Sequence, residues 1–157
     1  MKTAADLVQE KEIHLISVPP DTLMNEVIRM MLNQHIAAML VEKDGKIVGI
    51  WSDRDLLRDI LSPGYDPSKA KIGDYMERSL PTAPDSDTIY QLADKFIGKR
   101  VRHLLISNDS GEFIGILSVG DVIVNALHEK NEELQQLKTE CSWDYYEDWK
   151  RWKKKKQ

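Results

Sequence analysis

At 157 residues, with 41% hydrophobic and 31% charged side chains, the chain is long enough for one domain or for two small halves that share a core, and its composition is that of a folded, water-soluble protein. The single cysteine, Cys141, excludes an intramolecular disulfide and a cysteine-rich zinc site. No apolar run approaches the roughly 20 residues of a membrane span, and the opening MKTAADLVQEKE lacks the apolar core of a secretory signal, so a cytoplasmic, reducing location is expected. The net charge of −4 hides an asymmetry: residues 150–157 carry six basic side chains and no acid, which leaves 16 basic against 26 acidic residues on the body.

In chain order, residues 14–18 read as a short β-segment. Asp21-Thr22 is placed to cap a helix, and Leu23, Val27, Met30 and Met31 follow at helical spacing. Residues 36–41 (IAAMLV) form an apolar strand, 42–45 a turn with Gly45 at its positive-φ position, and 46–51 the returning strand of a hairpin. Ser52 then opens a second helix over 53–61, which Pro63-Gly64 stops. Residues 62–79 are rich in turn formers and join two similar units. The second unit runs through a β-segment at 80–83, a cap at Asp87-Thr88, a helix bearing Ile89, Leu92, Ala93, Phe96 and Ile97, strands at 101–106 and 112–117, and a helix from Val119 onward.

The two units are copies. GIWSDRDL (49–56) and GILSVGDV (115–122) place Gly49, Ile50, Ser52 and Asp55 on Gly115, Ile116, Ser118 and Asp121, 66 residues apart. Thr22 and Thr88 keep that offset, as do Gly45 and Gly111, whereas strand 36–41 fits 101–106 at 65. That predicts one extra residue at the end of the first helix and one fewer in the turn after it. Two copies of about 60 residues are too few for a solenoid and point to halves packed by pseudo-twofold symmetry.

Each S-x-x-D stands between a strand and a helix. It suits a capping box, with the Asp carboxylate reaching back to the Ser amide. It also suits a ligand site, because amides at a helix start draw phosphate and a carboxylate there accepts ribose hydroxyls. Spacing alone leaves both open.

Two copies of β-α-β-β-α ending in G-h-h-[ST]-x-x-[DN] resemble a pair of cystathionine-β-synthase (CBS) domains, the Bateman module, over about residues 12–130. The resemblance implies an α+β fold with the two repeats at 1–67 (including an N-terminal segment) and 68–130, followed by a helical extension with a basic tail at 131–157. It implies a regulatory module, not an enzyme, that senses AMP, ADP or ATP, or less readily NADH or S-adenosylmethionine, in clefts between the repeats, with no obligatory cofactor. It also implies a homodimer and a possible protein effector. Residue by residue, Asp55 and Asp121 match the ribose carboxylate, and Ser52 and Ser118 the adjoining hydroxyl. Arg54 sits where a cation meets phosphate, and Gly120 replaces it in the second copy. Ser17 and Thr82 match a polar position on the first strand. Arg102-His103 match a strand pair that faces phosphate, where the first copy has Ala37-Ala38. The unequal residues imply one good site and one weak or empty one.

His103 has no nucleophile at a spacing that predicts a triad. His14, His35 and His128 form no metal-binding pair, Met24, Met30, Met31 and Met39 read as core, and no phosphate-binding G-x-x-x-x-G-K-[ST] loop is present. The dimer faces are expected to be the helices bearing Leu56, Leu57, Ile60 and Leu61 and Val122, Ile123, Ala126 and Leu127. Leu127, Leu134 and Cys141 recur every seven residues with Leu137 between, a short coiled-coil-like seam. The aromatics Trp143, Trp149 and Trp152 before the terminal lysines suit a brace against the module or its dimer mate. Alternatively they form a docking patch for a protein, nucleic acid or anionic membrane, and the chain would then be a ligand-free interaction protein.

Overall fold

The computed structural model describes residues 1–11 and 15–154, with side chains as far as Lys138. His14, Cys141 and the three C-terminal tryptophans therefore lie outside the described side chains.

The fold is α+β, with two three-stranded sheets of the same topology. In the first, β1 (Ser17–Val18) runs parallel to β2 (Ala38–Lys43), which is antiparallel to β3 (Lys46–Ser52). In the second, β4 (Thr82–Pro84), β5 (His103–Ser107) and β6 (Phe113–Ser118) repeat that order. A helix crosses between the parallel strands of each sheet: α2 (Met24–Gln34) and α5 (Ile89–Lys99). Both helices end on a residue in the left-handed region, His35 and Arg100. After the hairpins come α3 (Asp53–Asp59) and the long α6 (Val119–Lys154). Two further helices, α1 (Ala4–Lys11) and the single-turn α4 (Ile72–Tyr75), precede the two copies and were not evident from periodicity.

The register corrects the expected repeat alignment. Ser17 pairs with Leu40 and Thr82 with Leu105, and α2 and α5 start and stop 65 residues apart. The offset is therefore 65 from the first strand onward, and the single inserted residue lies in the second hairpin's turn. Asp44 and Gly45 both have positive φ, the two-residue turn that matches strand twist. The second turn is longer and is closed by Asn108, whose side-chain oxygen accepts the Glu112 amide at 2.9 Å. Thr88 caps α5 in a capping box with Gln91, as expected. Thr22 is not its equivalent: Leu23 stands at the cap of α2, and the Thr22 hydroxyl donates to the Pro19 carbonyl at 2.8 Å. The Pro19-Pro20 turn carries the chain one residue further before the helix begins.

Strand alternation divides the core. Met39, Val41 and Trp51 face Met24, Val27 and Met31 of α2, with Val18 and Ile72. Leu104, Ile106 and Leu117 face Ile89, Leu92 and Phe96 of α5, with Ala83, Val122 and, from α1, Ala4 and Leu7. The intervening residues Leu40, Ile50 and Leu105 point the other way and join the halves, with Ala38, Phe113 and Ile116 around them.

The flanking segments are exchanged. The helix that begins the chain covers the second copy: the Ala4 amide donates to the Asp87 carbonyl at 2.7 Å, and Val8 lies over Gly115. The segment between the copies covers the first: the Ile72 amide donates to the Thr22 carbonyl at 3.0 Å, and Met76 lies over Gly49. A Cβ on Gly49 would stand 2.2 Å from Met76 Sδ, and one on Gly115 would stand 2.5 Å from Val8 Cγ1. These glycines make room for the protein's own side chains.

Of the expected dimer residues, Val122, Ala126 and Leu56 are taken up by the cores, whereas Leu57, Ile60, Leu61, Ile123 and Leu127 are exposed. Among the described residues, no helix is long and apolar enough to cross a membrane.

Candidate functional site

Both S-x-x-D elements fold as capping boxes. Asp55 Oδ2 accepts the amide and the hydroxyl of Ser52, each at 2.9 Å. Asp121 Oδ2 accepts the amide of Ser118 at 2.6 Å and its hydroxyl at 2.7 Å. Because each box ends a strand at the meeting of the two halves, its Ser and Asp also line a cleft.

The first cleft, of about 500 Å³, takes Ser52, Arg54 and Asp55 from the first copy and Lys99, Arg100, Arg102 and His103 from the second, with Glu77, Ser79, Leu80 and Pro81 along its wall. Arg102 reaches across the halves to Asp53, Nη1 to Oδ1 at 3.0 Å. Lys99 donates to the Thr82 carbonyl at 3.2 Å. Among the described residues, the guanidinium groups of Arg54 and Arg100 have no hydrogen-bond or ion-pair partner. Four cations against two carboxylates, Asp55 and Glu77, make this cleft receptive to anions.

The second cleft, of about 340 Å³, is related to the first by the repeat but differs in chemistry. Ser118 and Asp121 stand as Ser52 and Asp55 do, but His35, Ile36, Ala37 and Ala38 replace Arg100, Val101, Arg102 and His103 at the 65-residue offset. The one Lys or Arg lining it is Lys11, whose ammonium sits 2.6 Å from Asp121 Oδ2. Burial opposes the charge on Asp121, but Lys11 and the Ser118 amide and hydroxyl hold its carboxyl below the ordinary value.

His103 lines both clefts. Its burial, and then the neighbouring Arg102, push its pKa below the ordinary imidazole value, against the pull of Asp53. Among the described residues, no hydrogen bond pairs it with a nucleophile.

Seven of the nine expected site residues thus line the two clefts: Ser52, Arg54, Asp55, Arg102 and His103 in the first, and His103, Ser118 and Asp121 in the second. Ser17 and Thr82 line neither. The Ser17 hydroxyl donates instead to Glu42 at 2.9 Å. Lys99 and Arg100 were missed, although the run GKRVRH around Arg102 signalled them. Lys11 was missed because nothing local links it to a residue 110 positions away.

A CBS domain family model matches residues 5–62 and 72–127. A mitochondrial CBS domain-containing protein of Arabidopsis thaliana, CBSX3, is 32% identical over 122 residues, covering 74% of this chain. The chain spans 59% of that relative's length. The crystal structure of a CBS-domain protein, NE2398, matches with a TM-score of 0.75 at 31% identity, over 81% of this chain and 99% of that one. The structure of CBSX2 in complex with AMP matches with a TM-score of 0.65 at 25% identity, over 83% of this chain and 99% of that one.

Proposed function

This chain belongs to the CBS-domain family, and from that premise we propose that it is a regulatory module, without catalysis of its own, that binds an adenine nucleotide in the first cleft. The observation that carries the proposal is the pair of unpartnered guanidinium groups, Arg54 and Arg100, facing the same space as the Asp55 carboxylate. Asp55 has one oxygen engaged by its cap and the other only by the exposed Arg58 at 3.4 Å. It retains lone pairs for ribose hydroxyls. Arg54, Arg100 and Arg102 then meet phosphate, and His103 stands between them and the second cleft. AMP, as in the CBSX2 complex, and ADP or ATP suit this wall. Each added phosphate gains from the surplus of cations. S-adenosylmethionine, with a positive sulfur, suits it less, and NADH spreads its charge over a larger molecule. The side chains of Ser17 and Thr82 are not among the lining residues of this cleft, although the Thr82 carbonyl holds Lys99.

Binding in a cleft walled by both repeats favours the arrangement in which the two walls are correctly spaced, which is how such a module signals. The exposed apolar residues Leu57, Ile60, Leu61, Ile123 and Leu127 fit a homodimer interface through α3 and α6. A protein effector would read the resulting assembly, in the cytoplasm. The exposed Leu134 and Leu137 farther along α6 favour a second reading, in which that helix carries the contact with a macromolecular partner.

Calorimetry tests the nucleotide site. Asp55→Ala is expected to weaken ADP binding about 10- to 100-fold through lost charge-assisted hydrogen bonds. Arg54→Gln and Arg100→Gln are expected to weaken ATP more than AMP. Unchanged affinity in Asp55→Ala would leave its carboxylate a helix cap alone.

A further inference from the structure

The two clefts are built on the same repeat, yet in the second a cation of the protein's own stands on the cap oxygen of the carboxylate that a ribose would approach. Asp121 Oδ2 receives the Lys11 ammonium at 2.6 Å as well as both Ser118 donors. The same ammonium reaches the carbonyl of Ile116, another lining residue, at 3.4 Å. Both partners are largely buried, their side chains 23% and 25% exposed. Lys11 is not a loose surface lysine. It is the last residue of α1, a helix anchored by the buried Ala4 and Leu7 and by Val8 against Gly115. In the first cleft the cation on the matching carboxylate is the exposed Arg58, 3.4 Å from Asp55 Oδ1 and on the same short helix, not an ammonium brought in by an anchored segment. The segment that covers the first copy leaves its helix at Tyr75 and contributes Glu77 and Ser79 to the wall, neither of them a cation.

We propose that Lys11 closes the second cleft to the ribose of a nucleoside. The proposal rests on the nucleotide function inferred above. An ammonium delivered by an anchored helix competes at high effective concentration. A ligand's apparent affinity is reduced by the fraction of time that Lys11 is away from Asp121. Without Lys11 the cleft keeps its carboxylate, the imidazoles of His35 and His103 and a wall of Ile36, Ala37, Ala38 and Leu40, with no other Lys or Arg among the described residues to meet phosphate. The ligand class it then admits is a nucleoside without phosphate, for which adenosine is the probe.

The test is calorimetry on the full chain, titrated with ADP and, separately, with adenosine. The native chain is expected to take one ADP. Lys11→Met is expected to gain an adenosine site, at least about tenfold tighter than any in the native chain. Lys11→Arg, which restores the cation, keeps the cleft closed, and Lys11→Met combined with Asp121→Asn loses the gained site. Lys11→Gln replaces Lys11→Met if the latter does not fold. Two equivalent sites in the native chain overturn the proposal, as does a folded Lys11→Met or Lys11→Gln chain with no added site. Failure of ADP to bind the native chain overturns the nucleotide function. An adenosine site that appears only without Lys11 supports the closure even then, and no binding of either probe to any variant overturns both.

Discussion

Gly115→Ala asks how firmly α1 is seated. The added Cβ would lie 2.5 and 2.7 Å from the two methyls of Val8, whereas apolar carbons rest about 3.5–4.0 Å apart. Something must move by about 1 Å, and β6 is held in its ladder by β5. Val8 is β-branched and stiff about χ1, so the helix itself must lift. Overpacking of this kind costs about 1–3 kcal/mol, and lifting α1 also draws Lys11 away from Asp121. Val8→Ala alone removes two methyl groups, about 1.6 kcal/mol at 0.8 per group. In the double variant the alanine methyl occupies the vacated space, so the two losses should not add. A coupling of at least about 1 kcal/mol in the stabilising direction is expected. Urea unfolding followed by circular dichroism of all four proteins measures it. The matched change Gly49→Ala should cost less, because Met76 presents an unbranched thioether that can swing aside. A Gly115→Ala chain as stable as the native one, or strictly additive losses in the double variant, would refute the steric reasoning.

Asp59 is buried and accepts the indole N–H of the fully buried Trp51 at 2.8 Å. Asp59→Ala should therefore cost about 1–3 kcal/mol through the orphaned donor, and Asp59→Asn less, as read by urea midpoints. The depressed pKa of His103 means that the folded chain binds that proton less readily than the unfolded chain. Its stabilising share is full above about pH 6.5 and is lost as pH falls through the folded value. His103→Gln should flatten the stability profile there, with Arg102, Lys11, Asp53 and Asp121 as the charges facing the ring. Asp121 is likewise depressed, so its share is present above about pH 3.9 and is lost at lower pH. Lys11→Met should shrink that acid step, and the one at His103 less, because burial and Arg102 contribute more to that shift than Lys11 does.

Much of this fold was legible because its signals are local. The apolar runs Ile36–Val41 and Val101–Ile106, the turn ending at Gly45 and the doubled S-x-x-D each depend on neighbours a few positions away. The seven cleft residues followed from the strand ends to which the motif is tied. What escaped was non-local. Helix α1 is eight residues long with only Leu7 and Val8 as large apolar side chains, too short for a period to show, and its seat on β6 exists only once the second copy has formed. The single turn at Ile72 is too short for a period to show. Thr22 imitated Thr88 by sequence offset, while the Pro19-Pro20 turn moved the helix start past it. Gly49 and Gly115 signal a close approach, and that signature is the same whether the neighbour is a ligand or, as here, a methionine or a valine of the same chain.

The exchange of flanking segments sets an order of events during synthesis. The cover of the first copy, around Ile72–Met76, leaves the ribosome directly after the strands it shields, so that half can close at once. Helix α1 emerges before either copy, but the groove that receives it is finished only when Gly115 and Leu117 appear, more than 100 residues later. At about 5–20 residues per second, Leu7 waits on the order of ten seconds with no partner to bury it. Through that interval its neighbours Asp6, Gln9, Glu10 and Lys11 keep a strongly polar face on the waiting helix. The shortness and small side chains that hid α1 from pattern recognition are then what let it remain dissolved until its seat is built.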